Sequence, residues 1–427
     1  MTSQSPASSG APAADTGRRA PRASVPDIAT PPLDLRLDLH WRSDGVQHCD
    51  SLVLPRAQLA QAVLPEPLAQ AVTDTPAGAA TTHRFAPGEL LADWDLQGLV
   101  TVQPSTFDGR DLGGGPIQPR RGRFYPGSLL VTARDQPGGG APLRVVDVDT
   151  HSLRIDFNHP LAGKPLEVCT GSISAPTTGP VVAGEDSPKD LRALLTANGP
   201  GMQGRWRDQP TDFFADEPFL RADDDDPGFY ARPRLVDHLD SAAIAEIRAL
   251  YGRLIPRRSR ILDLMASWHS HLPAALAPAQ VAGVGMNAEE LARNPALTQR
   301  MLHDLNTEPR LPCADATFDA VVCTVSVEYL TNPFAVFREL GRVLRPGGIA
   351  VMTFSNRWFP TKAIRLWQEL HAFERPGLVL EYFRATDCFR ALNTWSLRGL
   401  PRPADDRYAR RLTLSDPLHA VWARRSG

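Results

Sequence analysis

In the second half of this 427-residue chain, polar and acidic residues recur just after short apolar runs, which is where a bound small molecule would meet side chains. Arg260–Leu264 is followed by Met265, Ser267, Trp268, His269 and His271, with Asp263 inside the run. Residues 281–285 lead to Gly285, Met286 and Asn287, and residues 301–305 to Asp304, Leu305 and Asn306. Residues 318–325 lead to Ser326, Glu328 and Tyr329, and residues 349–354 to Ser355, Asn356 and Arg357. Asp263, Ser267, Asn287, Asp304, Leu305 and Ser326 are candidates to hold a ligand by hydrogen bonds and apolar contact. Glu328, Tyr329, Asn356 and Arg357 are candidates to face a second reactant. His269 and His271, two apart, would both reach one metal ion only on a strand, so loop packing is the reading and no metal is expected. The run Asp223-Asp224-Asp225-Asp226 reads as a solvated linker face, because hard-cation loops space their ligands.

The elements around these residues alternate between helices and apolar strands. Asp240 is placed to cap a helix whose apolar face is Ile244, Ile247, Tyr251 and Leu254. Asn287 and Glu290 have capping-box spacing. Pro333 opens a helix that the Arg345-Pro346-Gly347-Gly348 turn stops. The run 318–325 is apolar and β-branched throughout, as in a strand buried on both faces. Repeated β-α-β units at this spacing predict a parallel sheet covered by helices on both sides, with ligands outside the carboxyl ends of its strands.

Four stretches carry a resemblance. ILDL (261–264), HDLNTEPRLPCADATFDAVVC (303–323), ELGRVLRPGGIAVMTFSN (339–356) and SDPLHAVWARR (415–425) resemble the motifs of class I S-adenosylmethionine-dependent methyltransferases, in that family's order. The resemblance implies an α/β Rossmann-like domain over 240–427, S-adenosyl-L-methionine as cofactor and methyl transfer to an acceptor that the sequence does not name. It implies Asp263 as the first-motif acid and places Asp304 and Leu305 at the adenine. The chain departs from the family in two places. The glycines of the first loop are replaced by Met265, Ser267, Trp268 and His269, whose Cβ atoms restrict close backbone approach. Gly285 stands where the family has a ribose-binding acid, so Ser267, His269 or Asn287 would have to supply the missing contacts. Phe229, Tyr230, Arg232, Arg234, Asp237 and His238 precede the first helix, a segment that folds over the cofactor in the family. No Asn-Pro-Pro-aromatic run follows the fourth strand, so DNA-base methylation is not expected.

The first half reads differently. Residues 34–41 alternate polar and apolar before a Ser-Asp-Gly turn, and strand-like runs recur at 97–102, 127–133, 143–148, 151–157 and 166–173. Short helices are expected within 51–73 and near 188–198. Phe157-Asn158-His159-Pro160-Leu161-Ala162-Gly163-Lys164-Pro165-Leu166, preceded by RVVDVDTHSLRID (144–156), resembles the strand-exit signature of SlyD-like FK506-binding-type peptidyl-prolyl isomerases. There it joins an inserted flap back to the main sheet. That resemblance implies a β-rich α+β domain over 32–178 and prolyl-containing protein segments as partners. Phe85, Trp94 and Phe107 are the aromatic candidates for a prolyl pocket, and His159 could line it.

Residues 1–31, rich in Ser, Ala, Pro and Gly, read as a disordered tail without the apolar core of a secretory signal, and 179–239 as an irregular connector. The 46 Lys and Arg against 48 Asp and Glu are scattered, so no nucleic-acid footprint is expected. Five cysteines without C-x-x-C spacing point to neither zinc nor a redox pair, and no apolar run is long enough for a membrane span. A cytoplasmic protein is the expectation. Three functions are consistent with the residues: methyl transfer with an appended SlyD-like module, prolyl isomerisation or folding help with a non-catalytic methyltransferase-like domain, and a non-catalytic interaction scaffold.

Overall fold

A computed structural model describes residues 34–54, 62–63, 80–109, 117–131, 142–173, 189–190, 195–196 and 199–427. The expected tail and most of the expected helices in 51–73 and 188–198 lie outside these residues.

The parallel sheet forms as its apolar runs require. Strands β11 (Arg260–Leu264), β12 (Gln280–Gly285), β13 (Gln299–Leu302), β14 (Phe318–Thr324) and β15 (Leu344–Ser355) are parallel, in the order 13-12-11-14-15. The sheet then continues through β17 (Leu418–Arg425), antiparallel to β15, and β16 (Phe389–Arg398). Helix α2 (Ser241–Leu254) starts where Asp240 Oδ1 accepts from the Ala242 and Ala243 amides. It covers one face with Ile244, Ile247 and Tyr251 against Val322, Val351 and Ala420. The other face packs on α4 (Pro333–Val343) and α6 (Arg375–Arg384) through Phe337, Leu340, Leu378 and Tyr382. The helices α1 (Asp226–Tyr230), α3 (Ala288–Arg293) and α5 (Arg365–Glu369) are short.

The first half does not stand apart from this sheet. Strands β1 (Asp34–Ser43) and β2 (Val46–Leu54) form a hairpin whose turn is Asp44-Gly45, both at positive φ, the backbone that short hairpin turns demand. Strand β2 lies parallel to β16, and β9 (Leu166–Ile173) and β4 (Ala80–Phe85) follow β1, giving one sheet of eleven strands, 13-12-11-14-15-17-16-2-1-9-4. The seam is polar and satisfied. Asp50 accepts from Ser396 Oγ at 2.5 Å and Arg398 Nε at 3.0 Å, and Trp395 Nε1 donates to Ser51 Oγ at 3.0 Å. The expected separate β-rich domain is corrected in this respect: its main strands extend the parallel sheet of the second half.

Between β4 and β9 the chain builds a smaller antiparallel sheet from β5 (Leu99–Val102), β6 (Phe124–Tyr125), β7 (Leu143–Val148) and β8 (Leu153–Asp156), in the order 5-8-7-6. The run 157–166 joins this inserted sheet back to β9. Two expectations fail locally. Residues 51–54 complete β2 instead of opening a helix, because Leu52, Val53 and Leu54 are buried between pairing strands. The run 127–133 is not a strand where it is described: Gly127–Leu129 makes a single 3-10 turn, and β6 is only Phe124–Tyr125. A two-residue pair, β3 (Ala62–Val63) with β10 (Lys189–Asp190), completes the described strands.

Candidate functional site

At the carboxyl ends of β11, β12 and β14 lies a cavity of about 410 Å³, inside the roughly 300–1,000 Å³ range of small-molecule sites. Asp263, Ser267, Asn287, Asp304, Leu305, Ser326, Tyr329, Asn356 and Arg357 all line it. So do Tyr230, Arg234, Asp237 and His238, whose segment folds across the opening, whereas Phe229 and Arg232 are not in the lining.

Each side chain arrives differently prepared. Asp263 is 3% exposed, and its Oδ2 has no partner among the described residues. Burial pushes its carboxyl up to about 7, only partly offset by a hydrogen bond from Ser270. Asp304 is bonded on both oxygens, by the Asn306 amide at 2.9 Å and the Thr307 hydroxyl at 2.7 Å, which fixes its orientation at the end of β13. Leu305 is buried beside it. Ser326 Oγ donates to the Thr324 carbonyl at 3.1 Å. Tyr329 is held by the Phe359 amide donating to its hydroxyl at 3.0 Å, and burial raises its pKa. Arg357 stacks on the Tyr408 ring at 5.0 Å, and Asn356 is exposed at the rim.

The loop without glycines is pinned from several sides. Met265 sits at a φ of 55, a backbone that glycine normally adopts. The Ala266 amide donates to the Val284 carbonyl at 2.7 Å, pulling the loop against β12. Its carbonyl then occupies the space a Cβ at Gly285 would need. This explains the missing acid at 285: the collapsed loop leaves no room for a side chain there. Ser267 Oγ donates to Glu290 Oε2 at 2.7 Å, and Trp268 stacks on His269 with centroids 3.7 Å apart. His269 pairs with Asp237 at 2.9 Å, as a loop-packing histidine does. Asn287 is fully engaged as well: its Oδ1 caps α3 at the Glu290 amide, and its Nδ2 donates to the Tyr230 carbonyl at 2.8 Å.

Two sequence readings need correction. Glu328 does not face a reactant. The 3-10 turn Val327–Tyr329 folds its side chain into the core, where it is 0% exposed and absent from the cavity lining. Both its oxygens lack a partner among the described residues, and burial pushes its pKa up to about 8. The acidic run is not a uniformly solvated face either. Asp226 is 2% exposed, lines the cavity and accepts from Arg221 and Asn306. Fully buried Lys362 lies 3.1 Å from Asp226 and 3.0 Å from Asp223. Asp225 caps α1. Four successive carboxylates gave no sign of this, because the partner Lys362 lies 136 residues beyond Asp226. Glu290, His303, Trp358, Phe359 and Arg407 also line the cavity and were not singled out from the sequence.

The strand order, with a cavity at the carboxyl ends of the parallel strands, is that of an open α/β Rossmann-like sheet. Residues 266–352 match the family described as methyltransferase domain. The chain is 31% identical over 132 residues to the methyltransferase GfsG of Streptomyces halstedii, covering 28% of this chain and 47% of that protein. It thus spans about half the length of this curated relative. Among solved structures it is similar to an S-adenosylmethionine-dependent methyltransferase from Thermotoga maritima (12% identity, TM-score 0.33, covering 43% of this chain and 89% of that one). A second is an S-adenosylmethionine-dependent methyltransferase from Mesorhizobium loti (18% identity, TM-score 0.30, covering 42% and 98%). No helix among the described residues is long and apolar enough to cross a membrane.

Proposed function

We propose that the cavity binds S-adenosyl-L-methionine and that the domain transfers its methyl group to an acceptor entering past Asn356 and Arg357. The observation that carries this reading is Asp263: a buried carboxyl with a partnerless oxygen, lining a cavity at the ends of parallel strands. A buried unpaired acid costs stability unless a ligand's hydrogen-bond donors complete it. Asp263 would meet the ammonium of the cofactor's methionine part, and Asp304 with Leu305 its adenine. Ser267 and Asn287 are already engaged by Glu290 and Tyr230, and Glu290 itself accepts from Ser267 and from the Arg234 amide, so any of the three would meet the ribose only through its remaining hydrogen-bonding capacity.

The bound cofactor supplies an electrophilic methyl group on a sulfonium. The remaining work belongs to the chain: to aim the acceptor's lone pair in line and to keep water out, which needs positioning more than acid or base. The segment 230–238 and the Trp268–His269 stack serve the second task by closing the cavity's upper side.

Titration calorimetry of the full chain with S-adenosylmethionine and with its demethylated product tests the reading. Both should bind, and Asp304→Ala and Asp263→Ala should each weaken them. Absence of heat at millimolar ligand would leave a non-catalytic scaffold as the description of this half.

A further inference from the structure

A second cavity, of about 320 Å³, lies between the inserted sheet and the loop 199–207, away from the methyltransferase site. Its walls include Arg144, Lys164 and Arg207 against one carboxylate, Asp156. We propose that this cavity is a binding site for an oxyanion, phosphate or carboxylate, held between Arg144 and Lys164.

The argument rests on where the charges are spent. Arg144, on β7, is 6% exposed. Its guanidinium lies over the Phe124 ring at 4.1 Å, and its Nη2 donates to the Gly204 carbonyl at 2.7 Å. Its buried Nε has no partner among the described residues. Lys164 is half-buried, with no hydrogen bond or ion pair recorded to any described residue. Asp156 faces Arg144 across the β7–β8 register, and its charge and that of Glu374 act on Arg144, but Asp156 forms no direct ion pair with Arg144 or Lys164. Its Oδ2 accepts from the indoles of Trp94 at 3.2 Å and Trp206 at 3.0 Å. Its Oδ1 accepts from the Asn158 amide at 2.9 Å and side chain at 2.8 Å. Four neutral donors saturate it. Arg205 is consumed by Glu381 and Asp44. Arg207 lies over Trp94 at 4.7 Å and over Trp206 at 4.8 Å.

Arg144 and Lys164 therefore share a partly enclosed space without a direct ion pair among the described residues, although the charges of Glu374 and Asp156 act on the first and that of Asp208 on the second. Burial, and after it the charge of Arg144, depresses the Lys164 amine, and burial brings Arg144 down to about 10. An oxyanion relieves both: the planar guanidinium offers directed donors and the ammonium a point charge. A prolyl cup, by contrast, is apolar and has no use for two cations without direct ion pairs.

Calorimetry of the full chain in chloride buffer, with inorganic phosphate in one arm and acetate in the other, tests this. One or both should bind, and the arms say which oxyanion is preferred. Lys164→Gln should weaken binding by about tenfold, equivalent to ~1.4 kcal/mol, while Lys164→Arg, which keeps the charge, should retain it. Heat from neither anion, equal affinity in Lys164→Gln, or binding of an uncharged prolyl peptide that neither anion displaces would each overturn the proposal.

Discussion

At the seam between the two halves Asp50 is fully buried and its oxygens are taken by Ser396 and Arg398. At the carboxyl ends of the parallel strands Asp263 is almost as deeply buried and keeps an oxygen without a partner among the described residues, as does Glu328 in the core behind them. A completed carboxylate joins two elements, and its value lies in the pairing. An uncompleted one weakens the fold unless a ligand completes it, and of the two only Asp263 lines the cavity. The antiparallel extension of the sheet is thus built for cohesion, and the parallel end gives up cohesion for a site.

The largest effect expected from this contrast is at the seam. Asp50→Ala removes the carboxylate that Ser396 and Arg398 share inside the sheet, and removing one partner of such a pair costs about 3–5 kcal/mol. Chemical denaturation should show one cooperative transition in the parent chain and a much lower midpoint in the variant. A second, separate transition in the parent would break the view that the halves share one sheet.

Next comes Gly285. Restoring the family's acid there, Gly285→Asp, would improve cofactor binding if the glycine were a simple loss. The structure predicts the reverse: the new Cβ meets the Ala266 carbonyl, and overpacking against backbone costs about 1–3 kcal/mol. The variant should unfold more easily and bind S-adenosylmethionine more weakly, read by thermal shift with and without ligand.

That glycine also marks how far the residues could be read in advance. The parallel strands were legible because strands buried on both faces are long apolar runs, and the helix starts because Asp240 and Asn287 sit at capping spacing. Asp263, Asp304 and Leu305 could be placed at strand exits from the sequence, and the roles expected of them came from the resemblance to methyltransferase motifs. Gly285 was legible as a departure, but its reason was not, since it lies in a loop folding back across the strand end. The seam was hidden for a similar cause: β2 pairs with β16 across more than 340 residues, and nothing local in Val46–Leu54 announces a partner so distant. Glu328 was misplaced because a single 3-10 turn decides which way a side chain points.

Glu328 gives a pH test of the uncompleted acids. Its folded pKa, about 8, lies above its ordinary 4.5, so the folded chain holds a proton that the unfolded chain releases. Stability from this group is present at acid pH and is lost as pH rises from 4.5 through about 8. Glu328→Gln removes the ionisation, and its advantage over the parent should grow between pH 5 and pH 9. The gain should be on the order of 2 kcal/mol, since relaxation and water entry recover part of the full cost of such a shift. Melting temperatures of both chains across that range measure it. An advantage independent of pH would mean that Glu328 is ionised and paired in solution.

The smallest effect belongs at the far edge of the antiparallel end. Arg84 on β4 faces Glu167 on β9 at 2.9 Å, but its side chain is 83% exposed. An exposed pair gains little Coulomb energy in water and orders two long side chains, so Arg84→Ala should change stability by less than about 0.5 kcal/mol. The charge has another use: among the described residues β4 pairs on one side only, and a charged side chain on such an edge discourages pairing with a second chain. Arg84→Ala should therefore leave the denaturation midpoint nearly unchanged while raising light scattering in concentrated, low-salt solution. A midpoint shift as large as that of Asp50→Ala would show that this edge contributes to cohesion as the seam does, and the contrast between edge and seam would fall.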